Sequence, residues 1–200
     1  MCISDIIDLI SSVSVVTASI LGIWGVNAWR KETRFKRKYE LAEKVLANAY
    51  EAVDVIQLIR SPFGKKNEGQ TRKLEKGETP QETLILNNLY VIKERYIENI
   101  APFKEIYSIR YNIKAVMGKE IEKPLNLILQ MPRKIFNCVD QYADLLINKE
   151  RYSKEERIKL TQKYSKMVYA GLINKEEDPI YNEMKEALKD LEKECRKYLN

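Results

Sequence analysis

Hydrophobic residues recur at helical spacing through most of this chain. From Phe35 to Ile59 they return every three or four residues, which places them on one face of a helix. Neither glycine nor proline interrupts the chain between Arg30 and Arg60, and Ser61-Pro62 then ends the pattern. Nowhere do apolar and polar residues alternate long enough to predict a strand. The pattern therefore predicts an all-α fold.

Capping residues and helix breakers mark the later helices. Thr79, followed by Pro80 and by Glu82 three residues on, is typical of a capping box, and Ser153 with Glu156 repeats it. With the long first helix, these signals predict a bundle of five or six helices over residues 30–200. Starts are expected at Pro80, Pro102, Pro124, Ser153 and Asp178-Pro179, stops near Asn99, Gly118 and Gly171, and a kink at Pro132.

Between the first two of these helices lies a basic loop at residues 61–79, SPFGKKNEGQTRKLEKGET. It holds three of the seven glycines and five lysines and arginines. A loop of this length is usually either functional or disordered, and the sequence leaves both readings open.

The N-terminal segment is free of charge from Leu9 to Trp29. A helix of that length spans about 30 Å, the hydrocarbon thickness of a bilayer. Trp24 and Trp29 fall where an aromatic belt would lie, and a basic cluster begins at Arg30. The segment predicts an uncleaved transmembrane anchor over residues 1–29, with the N-terminus outside and a cytoplasmic body at 30–200. The alternative is an amphipathic helix packed into a core.

One side of this segment carries small and polar residues. Ala18 and Gly22 have the spacing at which membrane helices pack closely, and Gly25 lies on the same side. We therefore predict that Ala18, Gly22 and Gly25 pack against another copy of the chain, which would make it a homo-oligomer. Whether this side lines water in a ring of helices or only joins a dimer stays open.

The amino-acid composition excludes several classes of catalytic and metal-binding site. The 200 residues include no histidine, which removes Ser-His and Cys-His nucleophile pairs and histidine-based zinc sites. The three cysteines, Cys2, Cys138 and Cys195, have no metal-binding or disulfide-framework spacing. No glycine pattern resembles a phosphate loop. The sequence thus predicts no catalytic residues, no metal site and no cofactor, and it predicts that the protein is not an enzyme.

The net charge of +6 directs attention to anionic partners. Arginine and lysine lie beside tyrosines at several helix positions, and such groups could converge into a pocket for phosphate. Ordinary surface charges paired with local glutamates are the alternative. The candidate lipid-binding residues are Arg60, Arg72, Lys73, Arg95, Arg110 and Lys114. Direct nucleic-acid binding by the basic body is a further hypothesis, which we regard as less favoured.

Several short motifs resemble a family of single-span membrane effectors that accompany short prokaryotic Argonautes in antiviral defence. They are WRKE, KRKYELAEKVLANAYEAVDVIQLIRSPF, TRK, ERY and RYNIKAVMGKE, and the likeness covers roughly residues 20–118. By matching motifs, the resemblance implies roles for Arg60 of RSPF, Arg72 and Lys73 of TRK, Arg95 of ERY and Arg110 of RYNIKAVMG.

The resemblance implies an abortive-infection effector. An Argonaute-containing complex that senses invader nucleic acid would activate it, and it would oligomerise, bind anionic phospholipid through a basic pocket and depolarise or permeabilise the membrane. The alternative function is a membrane-tethered helical adaptor that docks a protein partner without permeabilising the bilayer.

Overall fold

The structure is a computed structural model that describes residues 3–171 and 175–199, with the side chains of all of these except 4–12 and 175. Over the described residues the fold has six α-helices and no strand. They are α1 (Ile3–Ile59), α2 (Pro80–Glu98), α3 (Ala101–Met117), α4 (Glu122–Ile147), α5 (Lys154–Val168) and α6 (Pro179–Leu199). The prediction of an all-α bundle is confirmed.

The first helix has two environments. Its 57 residues make a rod about 86 Å long. Every side chain from Val13 to Arg37 is exposed, and the first buried one is Ala42. Only the C-terminal third of α1 therefore belongs to the folded body.

The core forms where that third of α1 meets the other helices. α1 packs along α6, α3 and α2, while α4 packs mainly against α5, α6 and α2 and also contacts α1. Their shared interior is aliphatic, with Ile56, Ile106 and Ile128 almost fully buried. Burying each such side chain contributes about 1.5–3 kcal/mol, so the interlocked aliphatic residues hold the bundle together.

Local signals fix the helix ends. The side chains of Thr79 and Ser153 each accept a hydrogen bond from the backbone N–H three residues on, while Glu82 and Glu156 bond back to the cap residues. Both predicted capping boxes are present. The helix after Ser153 ends at Val168, three residues before the predicted stop at Gly171, and α4 continues through Pro132.

The predicted membrane anchor requires correction. Within the described part of the chain, no helix has an apolar stretch long and hydrophobic enough to cross a membrane. The prediction of a transmembrane helix over residues 1–29 is therefore wrong, and so is the single-pass location with its outside N-terminus and cytoplasmic body. The physical reason is that Ser14, Thr17, Ser19 and Asn27 interrupt the aliphatic residues and lower the mean hydropathy of the stretch, and Arg30 then adds a charge. Residues 1–2 and the side chains of 4–12 lie outside the described part.

Candidate functional site

Arg60 lies in the interior at the end of α1. Its side chain is 1% exposed, its Nε donates to the Met167 carbonyl at 3.0 Å, and its Nη2 donates to Asp178 Oδ1 at 3.0 Å. Burial lowers the pKa of the Arg60 guanidinium, and the hydrogen bond to Asp178 opposes that shift. Arg60 therefore links the end of α1 to α5 and to the residue before α6. Removing one partner of such a buried pair costs about 3–5 kcal/mol.

Arg95 is also largely buried, and it organises the loop at 61–79. Its Nη1 donates to the Ser61 carbonyl at 2.8 Å, and its Nη2 donates to the Phe63 carbonyl at 2.7 Å. The same nitrogen bonds Glu68 Oε2 at 2.7 Å, and this contact is the main reason that the pKa of Glu68 is lowered. The loop thus folds around an arginine that α2 supplies.

Arg72 holds the second half of the same loop in place. Its guanidinium pairs with Glu78, and its Nε donates to Asn87 Oδ1 at 2.9 Å. This ion pair is the largest cause of the lowered pKa of Glu78, which falls to about 2. Lys73, next in the chain, is exposed. Arg72 in the loop and Arg95 on α2 are thus each paired with a carboxylate of the loop.

Arg110 differs from these three arginines. Its guanidinium carbon lies 3.7 Å from the centre of the Tyr107 ring and 4.6 Å from that of Tyr111, whose hydroxyl accepts a hydrogen bond from Nη2 at 2.8 Å. No ion pair links it to a carboxylate among the described residues, and its buried Nε has no acceptor from the described chain. Both tyrosine rings lie within cation–π distance of the guanidinium. Nε is buried and Nη2 already donates to Tyr111, so Nη1 and the second hydrogen of Nη2 are the donors left for a ligand.

A cleft of about 400 Å³ opens beside Arg110, between α3 and α4. We call it the Arg110 cleft. Its wall has an apolar part and a polar part, and none of the described residues that line it is acidic. The apolar part is formed by Tyr96, Ile100, Phe103, Tyr107 and Leu129, and the polar part by Lys104, Ser108, Arg110, Asn126 and Gln130.

This lining suits an amphiphilic anion. A guanidinium binds two phosphate oxygens through parallel N–H bonds, and the side-chain amides of Asn126 and Gln130 can supply further hydrogen bonds. The Ser108 hydroxyl already donates to the Glu105 carbonyl at 2.8 Å. The aromatic and aliphatic wall can cover an apolar portion of the same ligand. Two tyrosines keep the guanidinium plane in place, which lowers the entropy lost when it binds.

Lys114, one turn beyond Arg110, borders a second hollow of about 210 Å³ that Arg110 shares. Its ammonium pairs with Glu122 at 2.9 Å, so its charge is already compensated. The six predicted lipid-binding residues therefore fall into groups. Arg60 is an interior pair, Arg95 and Arg72 organise the loop, Lys73 is exposed beside it, and Arg110 with Lys114 borders the space between α3 and α4. Lipid binding by any of them stays a prediction.

The predicted helix-packing residues Ala18, Gly22 and Gly25 all lie on the exposed part of α1. A methyl group placed on Gly22 or Gly25 would meet no atom within 4 Å. All three are exposed among the residues that the structure describes, and their role in packing against another copy stays a prediction.

Sequence reasoning missed the other polar residues that line the Arg110 cleft. Lys104 and Ser108 are on α3, and Asn126 and Gln130 are on α4. Nothing in the local pattern distinguishes these residues from other surface positions, because only the packing of α3 on α4 brings them to one cleft. In the described part of the chain, no three acidic or cysteine side chains meet as they would to hold a metal ion.

Comparison with protein-family models, with curated proteins and with solved structures gives no match to this chain.

Proposed function

We propose that this protein is a phosphate-recognising effector, and that the Arg110 cleft binds the headgroup of an anionic phospholipid. The observation that supports this most directly is the state of Arg110. It is a cation with no carboxylate partner in the described chain, and it faces a cleft whose described lining is free of acidic residues. An uncompensated arginine in such a place attracts an anion.

The apolar wall favours a lipid as the source of the phosphate. A free phosphate ion would use only the polar side of the cleft, and Tyr96, Phe103 and Leu129 would gain nothing from it. A phospholipid headgroup continues into a glycerol and acyl region, which those side chains can cover. The cleft thus offers a complementary surface to each part of the molecule.

The test is vesicle flotation with the full chain. Vesicles of phosphatidylcholine alone are compared with vesicles that contain phosphatidylglycerol. We expect Arg110→Ala to weaken binding to the anionic vesicles about 10- to 100-fold, since hydrogen bonds to a charged group are worth about 1.5–3 kcal/mol.

Arg133→Ala is the matched control, because Arg133 is an exposed arginine on α4. It removes the same charge, and an unspecific surface attraction is worth only about 1 kcal/mol per basic residue. Equal losses in the two variants would contradict the cleft as the binding site. Equal binding to both vesicle types would contradict recognition of an anionic headgroup.

A competition arm separates the two sources of phosphate. We expect inorganic phosphate and soluble glycerophosphoglycerol to displace the vesicles poorly, because neither covers the apolar wall. If either binds the chain as tightly as the vesicles do, the ligand is a free phosphate compound and not a lipid.

The resemblance to Argonaute-associated effectors supplies a setting for this proposal. In that setting an Argonaute-containing complex is the protein partner, and lipid binding is the output that it controls. Sedimentation of the chain with a purified short Argonaute complex, with and without guide and target, tests the partner. If the chain binds the complex and Arg110→Ala leaves vesicle binding unchanged, the protein is a helical adaptor instead.

A further inference from the structure

The N-terminal arm, by which we mean residues 13–37 of α1, is not covered by any part of the chain that the structure describes. All of its side chains are exposed, including many large apolar ones. Trp24 is 75% exposed, Trp29 65% and Leu21 63%. Large contiguous apolar patches are rare on the surface of monomeric proteins, and where they occur they usually mark a binding surface.

The polar residues of the arm do not change this picture. The hydroxyls of Thr17 and Ser19 donate to the carbonyls of Val13 and Val15 at 2.8 Å, within their own helix. Their donors are satisfied without an outside partner. Apolar side chains project on several sides of the arm, and a single partner helix covers one of these sides. Leu21 and Trp29 lie on the side that carries Ala18 and Gly22.

Charge decides how a second copy would lie against it. Asp5 and Asp8 are the charged residues before the arm, while residues 30–38 carry six basic residues against a single glutamate, Glu32. In a parallel pair, two strongly basic segments would lie side by side and repel. In an antiparallel pair, each basic segment lies beside the acidic residues of the other copy.

The small residues of the arm agree with the antiparallel register. Pairing residues 5–8 with the basic segment centres the two-fold axis near residue 20. That register places Ala18 of one copy opposite Gly22 of the other, where two small side chains let the helices approach closely. It also places residue 3 beside residue 37, short of Ala42, where the body begins to bury its side chains. The two bodies thus stand at opposite ends without colliding.

We infer that the partner of the N-terminal arm is a second copy of this chain, paired antiparallel about a two-fold axis near residue 20. Such an interface is isologous, so each copy contributes the same patch. This inference does not depend on the proposed lipid binding at the Arg110 cleft.

Thiol cross-linking of the full-length protein tests the register. With the axis near residue 20, two copies of residue 18 lie about 6 Å apart along the helix axes, and two copies of residue 14 about 18 Å apart. A short bismaleimide should therefore join Ala18→Cys to itself. It should leave Ser14→Cys unjoined, but should join Ser14→Cys to Val26→Cys when the two variants are mixed. The unsubstituted protein, with its own three cysteines, gives the background.

Analytical ultracentrifugation supplies the second readout. Ala18→Leu with Gly22→Leu should raise the dimer dissociation constant at least tenfold, and the control Ile23→Leu, on another side of the helix, should leave it within about twofold. Equal self-cross-linking at residues 14 and 18 would show a parallel pair and overturn the inference. A monomer at tens of micromolar, or an arm that binds phosphatidylcholine vesicles in preference to its own copy, would also overturn it.

Discussion

Gly69 shows how strongly a single residue can depend on its place in the fold. Its φ is +81°, and a Cβ there would lie 2.1 Å from the backbone oxygen of Asn87. Its N–H also donates to Glu94 on α2. The loop therefore approaches α2 so closely at this point that no side chain fits.

Gly69→Ala should lower the free energy of unfolding by about 3–4 kcal/mol, through backbone strain and the clash with rigid backbone atoms. Gly77→Ala is a matched control. Gly77 has a similar φ of +97° but nothing within 4 Å of a Cβ, so this substitution should lower the free energy of unfolding by only about 1–2 kcal/mol. Urea denaturation measures both, and equal costs would show that the close approach to Asn87 is not rigid.

At the scale of elements, residues 61–79 form an ordered loop although they contain no regular secondary structure beyond turns. Three carboxylates hold the loop in place: Glu68 and Glu78 lie within it, and Glu94 lies on α2. Glu68 accepts the Lys65 N–H at 2.7 Å, Glu78 accepts the Glu75 N–H at 2.8 Å, and Glu94 accepts the Thr71 hydroxyl. Arg95 lowers the pKa of Glu68 and Arg72 lowers that of Glu78, so the ionised forms of these two carboxylates hold the loop and its order depends on pH.

The pKa of Glu78 is lowered from 4.5 to about 2, chiefly by its hydrogen bonds with Arg72. A folded pKa below the unfolded value means that the ionised carboxylate stabilises the fold above pH 4.5, and that this stabilisation is lost as the pH falls toward 2. We expect protection of the Glu75 amide against hydrogen exchange, corrected for the intrinsic rate, to decrease over that range.

Glu78→Gln is the control for this pH dependence. It removes the ionisable group and leaves a neutral, weaker acceptor, so protection of the Glu75 amide at pH 6 should be below that of the unsubstituted protein and should change little down to pH 2. If the unsubstituted protein keeps full protection at pH 2, the carboxylate does not hold the loop.

At the scale of the whole molecule, the two parts of α1 have different neighbours. Lys38 lies over the ring of Tyr198 on α6 at 5.2 Å, and burial begins at Ala42. Nothing before Lys38 has a buried side chain in the described part of the helix. The body should therefore be stable without the N-terminal arm.

Deleting residues 1–36 should change Tm by less than about 3 °C, because a loss of 1 kcal/mol shifts Tm by roughly 2–4 °C at this size. Deleting residues 1–53 removes Ala42, Val45 and Ala49 from the core and should abolish cooperative unfolding. Circular dichroism melting compares the two. A large loss of Tm in the shorter deletion would mean that the arm packs on the body.

The features that sequence predicted well are local ones. The capping boxes at Thr79 and Ser153, the starts at Pro80 and Pro179, and the unbroken α1 all depend on groups within four residues of one another. Hydrogen bonds of the helix and its caps close over that distance. The prediction of a membrane anchor was wrong because a stretch without charge, residues 9–29, need not have the mean hydropathy that a membrane span requires.

The sequence by itself determined the all-α class and most helix ends, since helical periodicity and capping need only neighbouring residues. Only the tertiary structure decided which arginines are compensated. Arg60 meets Asp178 from 118 residues away and Arg95 meets Glu68, whereas Arg110 has tyrosines and no described carboxylate. The partner of a charge is set by how helices pack, and that packing is a property of the whole chain.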